Sequence, residues 1–508
     1  MTFYAIVKGR KTGIVKSWLE CKLYTGGYSE AMFKRFDTKE EAEKYLLENA
    51  EVIEEELPSV EEPPPPVEEP PPDPCTLEQR EAIDAVHAGE TIFLTGPGGT
   101  GKSFLLNVLY KEFTKSGKKM AVTAMTGCAA LLLGPHAKTL HSWAGIGLGR
   151  DSPDSIISAI VRNGKKKKNW KVDCLVIDEV SMLTPDILQL LDTVGRAIRK
   201  NRNTPMGGLQ IVFVGDFYQL PPVADTAKFV FQSDLWKKIV TKTIHLKTIH
   251  RQRDPAFQKI LMEARIGELS DESYDILMSR KGLRWKGLEI RPTLLFTRNA
   301  DVNTINTKEL GKLSDNAVIY RVSTVSQRDF DHDIGKKGYE ESSPVIPEPT
   351  DYRIQKLDKD ASYVTDLQLK IGAQVMLITN LDSELGLVNG SRGVVLGFGP
   401  KGPEVKFLSM STPYTVKYHI WQSDDDNPVF RMQIPLRLAY ALTIHKAQGA
   451  SLDSAMVDIG PATFEYGQAY VALSRVRSLE ALYVYDLDKT AFKVHPAVKE
   501  FYDDKTKI

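Results

Sequence analysis

The sequence is poor in cysteine and has no net charge. Its 508 residues include only four cysteines, Cys21, Cys75, Cys128 and Cys174, and no two of them form a C-x-x-C pair. Cysteines this sparse argue against a disulfide scaffold and against a zinc ribbon, and they favour a reducing compartment. Lys and Arg total 66 and Asp and Glu total 66, which excludes a chain that is basic from end to end.

Long apolar runs are also missing. No stretch approaches the roughly 18 uninterrupted apolar residues that a membrane helix needs. The first residues, MTFYAIVKGRKTG, lack the apolar region of a signal peptide. We therefore expect a cytoplasmic protein without a membrane span.

One segment has an unusual composition. Residues 51–74 contain nine prolines and nine acidic residues but no Lys or Arg. Proline removes backbone donors and like charges repel, so this segment cannot build a core. The sequence therefore predicts a small unit at 1–48, a semi-extended linker at 49–74 and a larger body from residue 75. The body has 57 basic and 50 acidic residues, which is compatible with a nucleic-acid partner without requiring one.

The body begins with strands that alternate with helices. A helix should begin after Thr184, where Pro185 supplies a first-turn signal. Such alternation predicts an α/β fold with a parallel sheet. Residues 370–407 differ, because glycines interrupt their apolar runs, and they predict a small antiparallel unit. The short apolar strands of the parallel sheet are expected at 91–96, 120–126, 174–179 and 209–216.

A glycine-rich loop follows the first of these strands. Residues 96–103 read GPGGTGKS and match the G-x-x-x-x-G-K-[ST] pattern between a strand and a helix. Glycines let backbone N–H groups approach phosphate oxygens, Lys102 would reach the β- and γ-phosphates, and the Ser103 hydroxyl would bind Mg²⁺. We expect ATP to bind along Gly96, Gly98, Gly99, Thr100, Gly101, Lys102, Ser103 and Phe104.

Two carboxylates end a later strand, in the sequence LVIDE. Asp178 would bind Mg²⁺ as in a Walker B site, and Glu179 would orient or activate the attacking water. Acidic residues also occur at ordinary helix starts, where they favour the helix dipole. The glycine-rich loop upstream favours the catalytic interpretation.

Other features have more than one interpretation from the sequence alone. Gln219, in GDFYQLPP, either senses a phosphate or lies in a turn that two prolines impose. Arg251 and Arg475 could each stabilise charge on a transferring phosphoryl group, and their spacing does not choose between them. The lysine run at 165–168 is either a patch that follows phosphates or a solvated loop. Residues 443–449 suit a loop that contacts phosphates.

The ordered motifs resemble the PIF/RecD-like branch of superfamily 1 DNA helicases over nearly all of 75–508. In chain order they are TLEQREAI, GPGGTGKS, TAMTGCAA, LVIDEVSML, GDFYQLPPV, HRQRD, LTIHKAQGASLD and YVALSRVRS. The resemblance implies an ATP- and Mg²⁺-dependent helicase that moves 5′ to 3′ on single-stranded DNA and unwinds forked duplexes. It also implies that the protein acts as a monomer and, in a bacterium, is associated with the nucleoid.

The same resemblance implies roles for individual residues. Gln79 would read the adenine and Gln219 would sense the γ-phosphate. Arg251 and Arg475 would reach the nucleotide from the second motor lobe. Near the single-stranded DNA track would lie Thr126, His141, His445 and Lys446.

The implied architecture has two RecA-like P-loop lobes, a small wedge insertion and an SH3-like insertion. The expected bounds are 75–245 for the first lobe, about 140–168 for its wedge, 246–380 with 436–490 for the second lobe, 381–435 for the SH3-like insertion and 491–508 for a C-terminal tail.

Residues 2–47 resemble the β-β-α-β hybrid-binding, viroplasmin-like domain of eukaryotic ribonucleases H. The resemblance implies that an RNA–DNA hybrid is bound through Tyr4, Trp18, Phe33, Lys34 and Arg35. Aromatic and basic side chains suit contacts to sugars and phosphates. The three aromatic residues could instead form the core of a tiny domain.

The predicted function is therefore a helicase with a tethered hybrid-binding domain that acts at R-loops or related structures. One alternative is a P-loop ATPase that moves proteins on nucleic acid without separating strands. Another is a hybrid-binding adaptor with a degenerate motor, against which the intact Lys102, Asp178, Glu179 and Arg475 argue.

Overall fold

Two compact units, residues 1–73 and 74–508, make up the chain in the computed structural model. Within the described residues, no helix is long and apolar enough to cross a membrane. The structure describes 2–8, 11–26, 28, 31–50, 75–134, 136–147, 149, 151–222, 228–285, 288–325, 352–361, 363–382, 385–423 and 429–505.

The N-terminal unit is a three-stranded antiparallel sheet with two helices. Its elements are β1 Phe3–Lys8, β2 Gly13–Val15, α1 Trp18–Thr25, β3 Met32–Phe36 and α2 Lys39–Ala50. The strand order is β2-β1-β3, with β1 antiparallel to both neighbours. The expected β-β-α-β order is present and is followed by α2. Phe3, Ala5 and Ala42 form the buried core.

A six-stranded parallel sheet organises the first lobe of the body. The elements of this lobe are α3 Leu77–His87, β4 Ile92–Thr95, α4 Lys102–Lys115, β5 Met120–Ala124, α5 Gly127–Leu132, β6 Lys138–Thr139, α6 Leu140–Ala144, α7 Pro153–Arg162, α8 Gly164–Asn169, β7 Cys174–Asp178, α9 Pro185–Ile198, β8 Gln210–Gly215, α10 Asp234–Ile239 and β9 Lys242–His245, with 3₁₀ turns at Val180–Met182, Pro205–Gly208 and Val230–Gln232.

The strand order in this sheet is β6-β5-β7-β8-β4-β9, and all of its pairings are parallel. Strands β4 and β7 are buried along their whole length, as expected for a parallel sheet covered on both faces. The predicted start of α9 is confirmed, because the Thr184 side chain accepts a hydrogen bond from the Ile187 N–H at 3.3 Å. The four predicted strands are present as β4, β5, β7 and β8.

The rest of the body contains a second parallel sheet and several antiparallel ones. Its elements are α11 Pro255–Ile266, α12 Asp271–Met278, β10 Thr293–Phe296, α13 Asn299–Gly311, β11 Val318–Arg321, β12 Ser323–Val325, α14 Tyr352–Asp360, β13 Asp366–Leu369, β14 Gln374–Leu377, β15 Arg392–Gly399, β16 Gly402–Phe407, β17 Tyr414–Thr415, β18 His419–Gln422, β19 Phe430–Gln433, β20 Leu436–Leu438, β21 Ala441–Thr443, α15 Ile444–Ala447, β22 Ala455–Ile459, α16 Gln468–Leu473, β23 Leu482–Leu487, a 3₁₀ turn Lys489–Ala491 and α17 Pro496–Lys505.

The second lobe is built on the parallel sheet β21-β10-β22-β23. Helices α11, α12 and α16 contribute to its core, through residues such as Phe257, Leu277 and Val471. The body is therefore an α/β fold with two RecA-like lobes, as expected.

Antiparallel strands lie in the chain between β10 and β21. They form the sheets β17-β16-β15-β14-β20, β11-β13 and β12-β19-β18. The antiparallel character predicted for 370–407 is confirmed. The expected insertion bounds of 381 and 435 need correction, because β14 and β20 pair with each other inside the five-stranded sheet. Residues 311–366 contribute β11, β12 and α14, whereas 326–351 lie outside the described residues.

The segment expected to be a C-terminal tail is instead part of the first lobe. Helix α17 places Val498 and Tyr502 in the same core as Phe93 and Trp236. The Tyr502 hydroxyl lies 2.7 Å from Thr95 Oγ1 and accepts the Phe217 N–H at 3.2 Å. The chain thus returns from the second lobe to the first, where α17 stabilises the end of β4.

We predict that Tyr502→Phe destabilises the body by about 1–3 kcal/mol, because it leaves a buried N–H without its acceptor. The measurement is the midpoint of chemical unfolding followed by tryptophan fluorescence. Tyr485→Phe is the matched control, since Tyr485 is 56% exposed. Equal midpoints for the two variants would contradict the assigned role of the hydroxyl.

Candidate nucleotide cleft and nucleic-acid surfaces

A cleft of about 770 Å³ lies between the two lobes. In the first lobe its walls follow the carboxyl ends of β4, β7 and β8, and in the second lobe they include residues that follow β21. Ligands of open parallel sheets bind at such edges. The lining residues are Gly98, Gly99, Gly101, Lys102, Ser103, Phe104, Asp178, Glu179, Gln219, His250, Arg251, Arg253, Asp254, Gly449, Ser451, Arg475, Arg477 and Ser478.

The cleft collects most of the residues that the sequence singled out. All five expected catalytic residues line it, namely Lys102, Glu179, Gln219, Arg251 and Arg475. Both expected metal ligands, Ser103 and Asp178, also line it. The lining does not include Gly96, Thr100 or Gln79.

The glycine-rich loop has a backbone that glycine alone suits. Gly99 has φ +91°, and a Cβ there would lie 2.6 Å from the Arg251 Cβ. Gly101 has φ +84°, and a Cβ there would lie 2.8 Å from Gln79 Nε2. Lys102 Nζ donates to the carbonyls of Gly96 at 2.7 Å and Pro97 at 2.9 Å. Burial lowers the pKa of Lys102 from its usual value.

Gln79, the residue expected to read the adenine, is buried next to the glycine-rich loop. It is only 2% exposed, and its Nε2 donates to the Thr100 carbonyl at 3.3 Å. Its Oε1 accepts the Thr76 N–H at 3.0 Å in a capping box at the start of α3. Both polar atoms of the amide therefore form hydrogen bonds within the protein, and Gln79 supports the glycine-rich loop through its bond to Thr100.

The two acidic residues create a site that suits a cation. Burial and the neighbouring Glu179 charge raise the pKa of Asp178 to about 7. Hard divalent cations prefer such carboxylate and hydroxyl oxygens, so Asp178 and Ser103 fit Mg²⁺. Within the described residues no three His, Cys, Asp or Glu side chains cluster as metal ligands. Phosphate and water would therefore supply the remaining ligands.

The second lobe already touches the glycine-rich loop. The Tyr470 hydroxyl accepts the Gly98 N–H at 2.7 Å. Arg251 donates to the Ser474 carbonyl at 3.1 Å. Arg475 is 2% exposed and donates to the Val471 carbonyl at 2.7 Å, and burial lowers its pKa to about 10.

Two further arginines line the cleft and were missed by the sequence analysis. Arg253 and Arg477 are exposed and lie two residues after Arg251 and Arg475. The sequence feature that could have identified them is the alternation of arginines in HRQRD and SRVRS. A cleft wall with four arginines suits a polyanionic nucleotide.

A buried ion pair joins the two lobes beside the cleft. Arg265, on α11, donates from Nε and a terminal nitrogen to the Asp216 carboxylate at 2.8 and 2.9 Å. Asp216 follows β8 and is fully buried. The Arg265 guanidinium also stacks 4.4 Å from the Tyr218 ring centre. Sequence reasoning missed this pair, because its partners are 49 residues apart.

The expected DNA-track residues follow strand ends in both lobes. Thr126 and His141 come two residues after β5 and β6, which are neighbours in the first sheet. His445 and Lys446 lie in α15, directly after β21 of the second sheet. Burial lowers the pKa of His445 from its usual value.

The lysine run at 165–168 is helical, and its interpretation as a loop is wrong. It forms part of α8, which is followed directly by Trp170, a fully buried residue. Trp170 Nε1 donates to the Ala144 carbonyl at 3.1 Å and anchors the helix to α6. Lys165 and Lys168 remain exposed.

The N-terminal unit exposes an aromatic cluster. The Trp18 ring centre lies 5.6 Å from that of Tyr4 and 5.8 Å from that of Phe33. Trp18 is 52% and Phe33 38% exposed, so the interpretation of these rings as core residues is wrong. Arg35 pairs with Tyr4 across the strands, which places both side chains on the same face.

Lys34 does not join this cluster. It pairs with Ala5, on the face opposite Phe33. Its Nζ lies 5.4 Å from the Tyr45 ring centre and 5.7 Å from the Phe36 ring centre. Lys34 therefore lies on the face opposite the aromatic cluster, and its contact with the hybrid stays a prediction.

Comparison with known proteins identifies the family. Residues 75–273 match the model of the PIF1-like helicase, 362–398 that of the DNA helicase Pif1 2B domain, and 2–46 that of the ribonuclease H1 N-terminal domain. The crystal structure of Pif1 helicase from Candida albicans is 35% identical, with a TM-score of 0.72 over 85% of this chain and 99% of that one. The chain belongs to the PIF1-like helicase family.

Two further members of the family are similar over the body. Human ATP-dependent DNA helicase PIF1 is 37% identical over 433 residues, which are 84% of this chain and 63% of that protein. The chain thus spans less than two thirds of the length of this relative. A crystal structure of Pif1 helicase from Bacteroides in complex with ADP-AlF3 and single-stranded DNA is 26% identical, with a TM-score of 0.60 over 85% of this chain and 97% of that one.

We predict that Arg265→Met destabilises the body by about 3–5 kcal/mol, because it leaves the Asp216 charge buried without a partner. The double variant Asp216→Asn with Arg265→Met should recover part of this loss. Lys259→Met is the control, since it breaks an exposed ion pair with Glu272 and should leave the melting temperature unchanged. Equal melting temperatures for Arg265→Met and the control would contradict the prediction.

Proposed function

We propose that this protein is an ATP-dependent DNA helicase that moves 5′ to 3′ along single-stranded DNA and separates strands at forks, with Mg²⁺ as its cofactor. The observation that supports this most strongly is the cleft between the lobes. There the glycine-rich loop, Asp178 and Glu179 face Arg251 and Arg475 from across the cleft. Membership of the PIF1-like helicase family points to the same activity.

The residues of the cleft divide the chemistry between them. Ser103 and Asp178 would hold Mg²⁺, which neutralises phosphate charge when it is bound. Lys102 would turn from the Gly96 and Pro97 carbonyls towards the phosphates. Glu179 would orient the attacking water.

The arginines would stabilise the charge that develops during transfer of the phosphoryl group. They differ in how strongly the protein engages them. Arg475 donates to the Val471 carbonyl and the Ser474 hydroxyl, whereas Arg251 donates to the Ser474 carbonyl. To reach a phosphate, Arg475 must give up more internal hydrogen bonds than Arg251, so we infer that Arg251 engages first. Opening and closing of the cleft would then change the contacts of the two lobes with DNA.

The DNA would pass over residues that follow the sheet edges. Thr126 and His141 in the first lobe and His445 and Lys446 in the second are the proposed contacts. We assign 140–168, with its exposed lysines, to the proposed wedge and the antiparallel sheets to the proposed SH3-like insertion. The Bacteroides relative supports a DNA path, since it was crystallised with single-stranded DNA.

We predict that Glu179→Gln keeps ATP binding but reduces hydrolysis at least 100-fold, because the amide cannot take up a proton. The measurements are binding of a fluorescent ATP analogue, steady-state phosphate release and opening of a fluorescent fork. Glu289→Gln is the control, since Glu289 is exposed and outside the cleft. Normal hydrolysis by Glu179→Gln would refute the assigned site, and hydrolysis without fork opening by the unsubstituted protein would favour a translocase.

The N-terminal unit would direct this motor to RNA–DNA hybrids and R-loops. Its cluster of Tyr4, Trp18, Phe33 and Arg35 combines exposed rings with a cation, which suits sugar and phosphate contacts. Attachment through the linker would raise the local concentration of the motor near a bound hybrid. Deletion of 1–74 should therefore reduce R-loop unwinding more than fork unwinding. An equal reduction of both activities would contradict the targeting proposal.

We predict that Trp18→Ala weakens hybrid binding about tenfold, because a stacked ring contributes about 1–3 kcal/mol. The measurement is fluorescence anisotropy of a labelled RNA–DNA hybrid with the full chain. Leu47→Ala is the control, since Leu47 is 74% exposed on α2. Equal affinities of the two variants for the hybrid would show that the aromatic cluster does not bind it.

A further inference from the structure

One hydrogen bond crosses the cleft from the second lobe to the expected catalytic carboxylate. Gln448 Nε2 donates to Glu179 Oε2 at 2.9 Å. Gln448 is 7% exposed, so water competes little for this bond. Among the described residues, Gln448 is the hydrogen-bond donor to the Glu179 carboxylate.

The segment that carries Gln448 has little freedom. Thr443 caps α15 by accepting the Lys446 N–H at 3.3 Å, and the His445 carbonyl accepts the Gln448 N–H at 3.3 Å. Gly449 follows with φ +79°, and a Cβ there would lie 3.0 Å from a Leu132 methyl of the first lobe. The segment therefore approaches the first lobe closely, and Gln448 is fixed to the helical turn that holds His445 and Lys446.

Glu179 itself has an unusual backbone. Its φ of 55° lies in the left-handed region, which is costly for a residue other than glycine. Such strain persists only where surrounding contacts maintain it. The bond from Gln448 is one such contact, and it comes from the opposite lobe.

Other buried glutamines of the body make a different kind of bond. Gln252 donates to the Val476 carbonyl, Gln374 to the Arg291 carbonyl and Gln433 to the Tyr320 carbonyl. Those bonds satisfy backbone groups within the second lobe and its antiparallel sheets. The Gln448 amide is instead directed at a side chain that is placed to act on water.

We propose that Gln448 is a positioning residue that restrains Glu179 until single-stranded DNA binds, and this inference depends on the proposed helicase function. An amide N–H on one carboxylate oxygen turns that oxygen away from the attacking water. DNA that binds His445 and Lys446 moves the turn, withdraws the amide and frees Glu179. ATP hydrolysis is thereby coupled to occupancy of the DNA track, as a coupling free energy between two sites.

The test compares ATP turnover of Gln448→Met with and without single-stranded DNA. Methionine has a similar length but no N–H, so the DNA-free rate should rise about fivefold or more, the lower end of ordinary coupling. The rate at saturating oligo-dT should change less than twofold, and the KM for ATP should be unchanged. Gln355→Met is the matched control, because Gln355 is exposed on α14.

The ATPase rates and the melting temperature of Gln448→Met test the proposed restraint. A DNA-free rate of Gln448→Met equal to that of the unsubstituted protein, or below it, overturns the restraint. A purely structural role would lower both rates and the melting temperature together, which also overturns it. If Gln448→Met does not fold, Gln448→Asn keeps the amide but shortens its reach, and its DNA-free rate should rise by a smaller factor. Absence of DNA-stimulated hydrolysis in the unsubstituted protein would instead refute the proposed function.

Discussion

The buried pair of Asp216 and Arg265 is the constraint on which the rest of the motor depends. It joins the end of β8 to α11 and therefore one lobe to the other. Separating two buried charges costs far more than moving an exposed pair, so changes in the cleft must preserve this contact. Tyr218 and Tyr502 pack against the same guanidinium, with ring centres at 4.4 and 5.4 Å. The C-terminal helix α17 thus reinforces the joint from the first lobe.

The parts of the site predicted from the sequence are those encoded locally. The glycine-rich loop and the LVIDE strand each contain strand, turn and chemistry within a few residues, so spacing alone located Lys102 and Asp178. Contacts between residues that are far apart in the chain were not predictable in this way. Gln448 and Glu179 are 269 residues apart and Tyr502 and Thr95 are 407 apart, and no local pattern pairs them.

Two side-chain placements follow from local rules that the sequence already held. Alternation along a strand puts neighbours on opposite faces, so Lys34 could not share a face with Phe33. Gln79 occupies the third position after Thr76, where a capping box engages its side chain. The antiparallel bounds were harder, because the apolar residues of β14 suit a parallel or an antiparallel strand equally well.

The proposed helicase opens duplexes from a 5′ single-stranded tail. The most direct test uses two fluorescent forks that differ only in carrying a 5′ or a 3′ tail, with ATP and Mg²⁺ present. We expect strand separation of the fork with the 5′ tail only. Separation from the 3′ tail alone would contradict the proposed polarity, and DNA-stimulated ATP hydrolysis without opening of either fork would contradict the helicase assignment.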